Sequence, residues 1–297
     1  MGMLKRKNNK ILQGYVPSFS RKLLRYIAKS YLKIFRVSGD TIWGNIVMQQ
    51  FEPIIEITNI IDPSLKLKFH AGHERLHWRI KKTSKLDYLY RKMLGELDSY
   101  SVLFDIGANI GLTSLLPAQA LKCKVFAFEP EPLNFANLHK NVFENRLQKT
   151  VSCFPIALSN SNSLRSFYLK TISPGDALHS IDYPSPQVNT RNLQDISSQE
   201  ILTFSLDSLI SIFKLPIPTH CKIDVDGAEM SVLEGMKETL MYAEKLSLYI
   251  ELDLDDASGN FIGVCQYLKK MNFDLLEVAM AETVHSPNIR NCLFKKL

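Results

Sequence analysis

The chain has 297 residues, 45% of them hydrophobic, which suffices for one large domain or for a core domain with an added segment. Its apolar runs are shorter than the roughly 18 residues that a membrane-spanning helix needs, so we predict no transmembrane span. The net charge is +6, but residues 1–36 carry ten basic side chains and no acidic one. The rest is slightly acidic, which argues against nucleic acid as a partner.

Residues 20–36 have the pattern of a basic amphipathic helix, with an apolar face formed by Leu23, Ile27, Tyr31, Ile34 and Phe35. Such a helix either packs on its own domain or makes peripheral contact with an anionic membrane surface, and the sequence leaves both open. The five cysteines are widely spaced without a Cys-x-x-Cys pair, and no signal-peptide core follows the first residues. We therefore predict a cytoplasmic protein.

The segment that precedes the main domain is expected to form a small extension. Two apolar runs flank Asp62-Pro63-Ser64, which indicates a turn between two strands. Residues 83–98 have a helical pattern. We place a domain boundary between residues 82 and 83. We expect residues 1–82 to form a basic arm and a small α/β extension, and residues 83–297 to form the main domain.

From Ser101 onward, apolar strands alternate with helical patterns, which is typical of a doubly wound, mostly parallel α/β sheet. The last two apolar segments, "FDLLEVAM" and "CLFKKL", are expected to close the sheet as an antiparallel hairpin. Residues Ser159 to Glu200 are rich in Ser, Asn, Gln and Pro, and we interpret them as a long loop. Such loops are more often functional or mobile than accidental.

The stretch "FDIGANIG", Phe104 to Gly111, follows the first of these strands. Ligands of open α/β sheets bind at the carboxyl ends of the strands, where this turn lies. Gly107 would let the backbone turn sharply beside a ligand, and Gly111 would let the next helix pack tightly on the strand. We expect Asp105, Gly107, Ala108, Asn109 and Gly111 to contact a cofactor.

The next strand, "KVFAFEP", ends in Glu129 and Pro130, which we add to the predicted cofactor site. A carboxylate at this position can accept hydrogen bonds from both hydroxyls of an adenosine ribose. A nicotinamide dinucleotide needs a second glycine at the position of Asn109. Asp105 suits a ligand with a free amino group better than a diphosphate, so we predict S-adenosylmethionine as the cofactor.

The motifs are similar, in content and order, to those of FkbM-type S-adenosylmethionine-dependent methyltransferases. The similarity covers roughly residues 100–252 and rests on "LFDIGANIG", "FAFEP", "LHKNVFEN", "FPIALSNSN", "FSLDSLI" and "KIDVDGAEMSVLEGM". It implies a class I methyltransferase (Rossmann-like) fold with seven strands and a reversed final hairpin. It also implies an O-methyltransferase whose acceptor is a hydroxyl of a sugar or glycan, a glycolipid or a secondary metabolite.

Transfer to a hydroxyl requires a group that takes its proton. Asp224, at the predicted end of the fourth strand, is our first candidate for a catalytic residue, and His179 in the polar loop is the second. Asp226 and Glu229 either cap the following helix or belong to the site, and Glu251 either contacts substrate or is an ordinary charge at a strand end.

Other interpretations are less well supported by the residues. His70, His73 and His77 have spacings that could hold a metal, but the neighbouring basic residues and Gly72 argue against it, so we predict no metal site. A dehydrogenase-like nucleotide binder is disfavoured by Asn109. A non-catalytic domain that docks through its basic arm to a membrane or an acidic partner remains the alternative.

Overall fold

A sheet of seven strands forms the centre of the computed structural model, which describes residues 53–82, 87–183, 197–254, 260–280 and 288–296. The strands are β1 (Ile54–Thr58), β2 (Lys66–His70), β3 (Val102–Ile106), β4 (Lys124–Phe128), β5 (Val151–Phe154), β6 (Ala157–Leu158), β7 (Ser163–Leu169), β8 (Ser180–Ile181), β9 (Ser197–Phe204), β10 (His220–Ile223), β11 (Ser247–Asp253), β12 (Phe273–Met280) and β13 (Ile289–Lys296). The helices are α1 (Glu74–Lys82), α2 (Tyr88–Leu94), α3 (Leu112–Ala120), α4 (Pro132–Glu144), α5 (Leu206–Phe213), α6 (Glu229–Gly235), α7 (Lys237–Tyr242) and α8 (Asn260–Lys270).

The strand order of the central sheet is β12-β13-β11-β10-β3-β4-β5. The pairs from β11 to β5 are all parallel, and β13 is antiparallel to both β11 and β12. The predicted doubly wound sheet with a reversed final hairpin is confirmed. The order reverses between β3 and β10, so their carboxyl ends flank the crevice where such sheets bind ligands.

Strands β3, β4, β10, β11 and β13 of this sheet bury side chains on both faces, as a sheet covered by helices requires. In β3, Leu103 belongs to one buried cluster and Phe104 to the other, because successive side chains point to opposite faces. The first cluster lies between one face of the sheet and the layer formed by β2 and helices α1 to α4. The second lies between the other face and helices α5 to α8. The sheet is therefore the middle of three layers.

The hairpin of β1 and β2 confirms the predicted turn at Asp62-Pro63-Ser64. It is fastened to α4 by two asparagine side chains. Asn145 accepts a hydrogen bond from Lys68 N (2.8 Å) and donates to Lys68 O (2.7 Å), and Asn141 accepts from His70 N (2.9 Å). These amides take the place of a neighbouring strand along β2 and satisfy its backbone groups.

The region expected to be one long loop contains a second sheet. Strands β6, β9, β7 and β8 lie in that order, with β7 antiparallel to both β9 and β8. The prediction was wrong for Ser163–Leu169, for Ser180–Ile181 and for the start of β9. The partners of β7 lie far along the chain, since Ser163 pairs with Thr203 and Leu169 with Ser197, and no local pattern reveals such pairing. The apolar segment "TVSCFPIAL" is divided between the two sheets at Pro155, which has no N–H to donate to a ladder.

The helix predicted after the fourth strand is two helices, α6 and α7, which meet at Met236. Gly235 lies where the backbone carbonyl of Ser159 approaches the helix. A Cβ atom added at Gly235 would lie 1.9 Å from that oxygen. Only glycine fits this contact, so the position fastens α6 to the segment that leads into the second sheet.

The described residues from Ile54 onward form one compact unit. The predicted boundary between residues 82 and 83 stays a prediction, and the amphipathic helix over residues 20–36 lies outside the described residues. Within the described ranges, no helix is long and apolar enough to cross a membrane.

Gly235→Ala is expected to lower the free energy of unfolding by about 1–3 kcal/mol, because the new methyl group meets a backbone oxygen that cannot move freely. Chemical denaturation would measure this loss. Gly263→Ala is the control, since its Cβ would meet only the flexible end of Met230 at 3.2 Å and alanine favours the helix. Equal stabilities for the two variants would contradict the packing argument.

Candidate functional site

The turn after β3 contacts the ends of both neighbouring strands, β4 and β10. The amides of Gly107 and Ala108 both donate to Phe128 O, each at 3.0 Å. Gly107 has a φ of 81°, and a Cβ there would lie 1.9 Å from Asp224 O at the end of β10. Glycine is therefore required both by the backbone conformation and by the close approach of β10.

Asp105 lies at the end of β3 and is completely buried. Its Oδ2 atom accepts hydrogen bonds from the hydroxyls of Thr113 and Ser114 in the first turn of α3. Its Oδ1 atom lies 3.3 Å from the ammonium of Lys222. Asp105 therefore holds the start of α3 and a buried cation in place, and its contribution to cofactor binding stays a prediction.

Lys222 on β10 is the buried cation that joins these elements. Its Nζ atom is within 3.3 Å of Asp105 Oδ1, 3.2 Å of Asp224 Oδ2 and 3.2 Å of Gly107 O. Burial alone would lower the pKa of this lysine, but the carboxylates of Asp224 and Asp105 outweigh burial and raise the pKa above its usual value. The ammonium stays charged, with one hydrogen bond to Gly107 O and two carboxylates close by.

Glu129 follows β4 and is buried beside the same turn. Its Oε2 atom accepts a hydrogen bond from Asn109 N (2.7 Å), and its Oε1 atom accepts from Glu131 N (2.9 Å). Burial is the main cause that raises the pKa of Glu129 to about 7, against these two hydrogen bonds. Each oxygen keeps a free lone pair, so the carboxylate can accept one further hydrogen bond at each. Pro130 is half-buried next to it.

The carboxyl ends of β10 and β11 add several acidic side chains. Asp224 is about one-third exposed, and its Oδ2 atom is the partner of Lys222. Asp226 lies in the next turn with a φ of 54°. Its side chain reaches solvent, yet partial desolvation and the neighbouring Asp224 raise its pKa to about 7. Burial raises the pKa of Glu251 on β11 as well, and the Asp224 carboxylate adds to this effect.

Glu229, in the first turn of α6, has a structural role. Its Oε1 atom accepts a hydrogen bond from Gly227 N (2.9 Å), and its Oε2 atom accepts from Asn260 Nδ2 (2.8 Å). The side chain is buried. It closes the turn after β10 and connects α6 with the start of α8.

A segment of the second sheet, residues 173–178, connects the turn after β3 to the turn after β10, and we call it the strap. Asp176 O accepts hydrogen bonds from Asn109 Nδ2 (2.8 Å) and from Asn134 Nδ2 (3.2 Å). Gly175 N donates to Asn134 Oδ1 (2.6 Å), and Leu178 N donates to Asp226 Oδ2 (2.6 Å). The strap brings the second sheet to the carboxyl edge of the central sheet.

Asp176 in the strap is fully buried and charge-paired. Its carboxylate accepts hydrogen bonds from the Thr171 hydroxyl and from Ala177 N (2.9 Å), and it lies 2.5 Å from Arg75 of α1. Arg79, one turn further along α1, donates its Nε hydrogen to Gly175 O. Helix α1 thus reaches the site through two arginines.

His179 directly follows the strap and is 8% exposed. Its Nδ1 atom accepts a hydrogen bond from Lys170 N (3.2 Å), which places the proton of the neutral ring on Nε2. Burial is the main cause that lowers its pKa to about 4. His179 is therefore a neutral hydrogen-bond donor near pH 7.

The site residues that sequence reasoning missed are Arg75, Arg79, Asn134, Asp176 and Lys222. Lys222 carried a signal, because a lysine inside an apolar strand, two residues before an aspartate, implies an ion pair. The others belong to segments that become neighbours of the turn only in the folded chain.

Lys222→Met is expected to lower the free energy of unfolding by about 3–5 kcal/mol, since it leaves the buried carboxylate of Asp105 without its cation. Lys269→Met is the matched control, because that lysine is exposed and its pair with Asp274 should contribute less than about 1 kcal/mol. Urea denaturation of both variants measures the difference. A loss at Lys222 no larger than at Lys269 would refute the central role of this ion pair.

Sequence comparison identifies relatives of the chain. The model of the Methyltransferase FkbM domain matches residues 105–275. A stretch of 178 residues is 30% identical to the hexuronic acid methyltransferase AglP of Haloferax volcanii, which is 60% of this chain and 67% of that protein.

Solved structures with a similar fold include methyltransferase FkbM from Methylobacillus flagellatus KT, with a TM-score of 0.47 and 17% identity over 72% of this chain and 47% of that one. The chain thus spans about half the length of that structure. A precorrin-6y C5,15-methyltransferase from Geobacter metallireducens GS-15 has a TM-score of 0.41 and 14% identity over 70% of this chain and 88% of that one.

The family match begins at Asp105, includes the turn after β3, Glu129 and the Lys222 to Glu229 segment, and extends to β12. It covers more than half of the chain. The chain therefore belongs to the FkbM family of S-adenosylmethionine-dependent methyltransferases.

Proposed function

We propose that the chain transfers the methyl group of S-adenosylmethionine to a hydroxyl of a sugar acceptor. The observation that carries this proposal is the buried Glu129 carboxylate, which two backbone amides hold beside the turn after β3. The relative from Haloferax volcanii is by name a methyltransferase of hexuronic acid, and it supports a sugar as the acceptor.

The residues present fit this cofactor. Glu129 keeps one free lone pair on each oxygen for the two ribose hydroxyls, and the turn after β3 lies next to it, joined through Asn109 N. The carboxylates of Glu129, Asp224 and Asp226 make the edge of the sheet negative, which favours a cofactor that carries a sulfonium and an ammonium group. When bound, the cofactor supplies an electrophilic methyl group. Asp105, Gly107, Ala108, Asn109, Gly111 and Pro130 complete the proposed binding site.

In this proposal, Asp224 accepts the proton of the acceptor hydroxyl. Lys222 holds Oδ2 of Asp224 at 3.2 Å, and the side chain is about one-third exposed, so that an acceptor can reach it. Orientation by a fixed partner is what a general base needs. His179 is less suited to this step, because its only acceptor nitrogen already binds Lys170 N.

The cofactor affinity is expected to depend on pH through Glu129. The pKa of this carboxyl is about 7, so the ionised form, which accepts hydrogen bonds from both ribose hydroxyls, predominates above pH 7 and is lost below it. Calorimetric titration with S-adenosylhomocysteine should therefore show tighter binding at pH 8 than at pH 6.

Glu129→Gln should weaken binding at pH 8 by at least about tenfold and remove most of this pH dependence, because a charge-assisted hydrogen bond contributes roughly 1.5–3 kcal/mol. Glu144→Gln, at the far end of α4, is the matched control. Wild-type affinity in the Glu129→Gln variant would show that Glu129 does not hold the ribose.

Asp224→Asn is expected to reduce kcat about 10²- to 10⁴-fold, because asparagine cannot accept the hydroxyl proton. The cofactor affinity should change less than about threefold, since the amide oxygen can still bind Lys222. The assay follows methyl transfer to methyl glucuronoside, a hexuronic acid derivative, and locates the product methyl by NMR. Asp274→Asn, on β12, is the control. An unchanged kcat would exclude Asp224 as the base.

A further inference from the structure

Helix α1 precedes the residues matched by the family, yet it places an arginine at the carboxyl edge of the central sheet. The Nε atom of Arg79 donates to Gly175 O in the strap. Burial is the main cause that lowers the pKa of Arg79, and the carboxylates of Asp224, Asp226 and Glu129 act against it. Arg79 is therefore fixed to the strap, which also binds the turn after β3 through Asn109 and the turn after β10 through Asp226.

The terminal nitrogens of Arg79 have no hydrogen-bond or ion-pair partner among the described residues. The side chain is half-buried, and the bond to Gly175 O fixes its direction. The free end of a guanidinium presents two parallel N–H groups that match the two oxygens of a carboxylate. The terminal N–H groups of Arg79 are therefore available to bind a carboxylate.

His179 provides a second donor without a partner. It is nine-tenths buried, its Nδ1 atom is occupied by Lys170 N, and its Nε2 atom has no hydrogen-bond partner in the described part of the chain. A buried donor without an acceptor is destabilising, so an acceptor from outside the chain would be favoured at this nitrogen. His179 and Arg79 flank the strap, one following it in sequence and one bonded to its backbone.

An anionic acceptor at this edge of the sheet needs a positively charged side chain beside it. Asp224, Asp226 and Glu251 would repel an acceptor that carries its own negative charge. Arg79, which is bonded to Gly175 O, provides positive charge on the side where the strap lies, whereas Arg75 is already paired with Asp176. A neutral acceptor would need no such compensation.

We propose that the sugar acceptor carries a carboxylate, which Arg79 binds through its two terminal nitrogens and His179 binds through Nε2. This proposal rests on the proposed function and specifies its substrate class as a sugar acid. Arg79 and His179 then select the acceptor by its charge and direct a hydroxyl of the same sugar towards Asp224.

The test compares the binding of two sugars that differ only at one carbon, methyl glucuronoside and methyl glucoside. NMR titration of the full chain is carried out with and without saturating S-adenosylhomocysteine. We expect the wild type to bind the glucuronoside at least tenfold more tightly. Arg79→Gln should reduce this preference to below about threefold, because the amide retains an N–H for Gly175 O but lacks the charged fork.

Two further variants separate recognition from structure. Arg146→Gln removes an exposed arginine at the opposite end of α4 and should leave the preference unchanged. His179→Phe keeps a ring against Phe167 but removes the donor, and should weaken glucuronoside binding about three- to tenfold without affecting glucoside. Glucose 6-phosphate, as a third probe, tests whether the anion is a phosphate instead.

Three results would overturn the proposal: equal binding of the two sugars by the wild type, an undiminished preference in Arg79→Gln, or binding of the phosphate but not of the glucuronoside. Binding of neither sugar also counts against it. Titration of the same samples with S-adenosylhomocysteine reports on the methyltransferase function separately. Cofactor binding without a preference for the acid would refute the sugar-acid acceptor and leave the proposed function standing.

Discussion

The site depends on one buried cation. Lys222 joins the carboxylate of Asp105, the carboxylate of Asp224 and the carbonyl of Gly107, so it connects the ends of β3 and β10 with the turn between β3 and α3. These strands are neighbours at the point where the strand order reverses. Without the ammonium, a buried carboxylate would face another carboxylate across the crevice, at a large cost in free energy. The geometry of the turn and the orientation of the proposed base therefore have a common origin.

Asparagine side chains connect several other segments to the central domain through hydrogen bonds to the backbone. Asn141 and Asn145 of α4 bind the backbone of β2, and Asn141 also donates to Ile110 O (2.9 Å) in the turn after β3. Asn109 and Asn134 bind the strap. An amide offers a donor and an acceptor without charge, so it can satisfy a backbone segment in a buried place at less cost than an ionised group. The β1–β2 hairpin, the turn after β3 and the second sheet are held together in this way.

The sequence predicted the parts of the molecule whose signals are local. Alternating strands and helices predicted the central sheet, and the family match confirms the assignment to S-adenosylmethionine-dependent methyltransferases that Gly107, Glu129 and the block after Lys222 indicated. The second sheet was missed because its polar strands pair across long separations. Arg79 and Asp176 were missed because no spacing connects them to the turn that they reach. Residue roles within the site remain proposals, since cofactor contacts depend on distances that no sequence pattern contains.

The strap has one property with a consequence for engineering. The side chains of Arg79, Asn109, Asn134 and Asp226 all bind backbone atoms of the strap, and Asp176 is the strap side chain that pairs with α1. The strap's side chains at positions 173, 174 and 177 take no part in these bonds. Substitutions at those three positions can accumulate without releasing the segment from the sheet. Saturation libraries at these three positions would therefore vary the surface of the strap while its attachment to the sheet is kept.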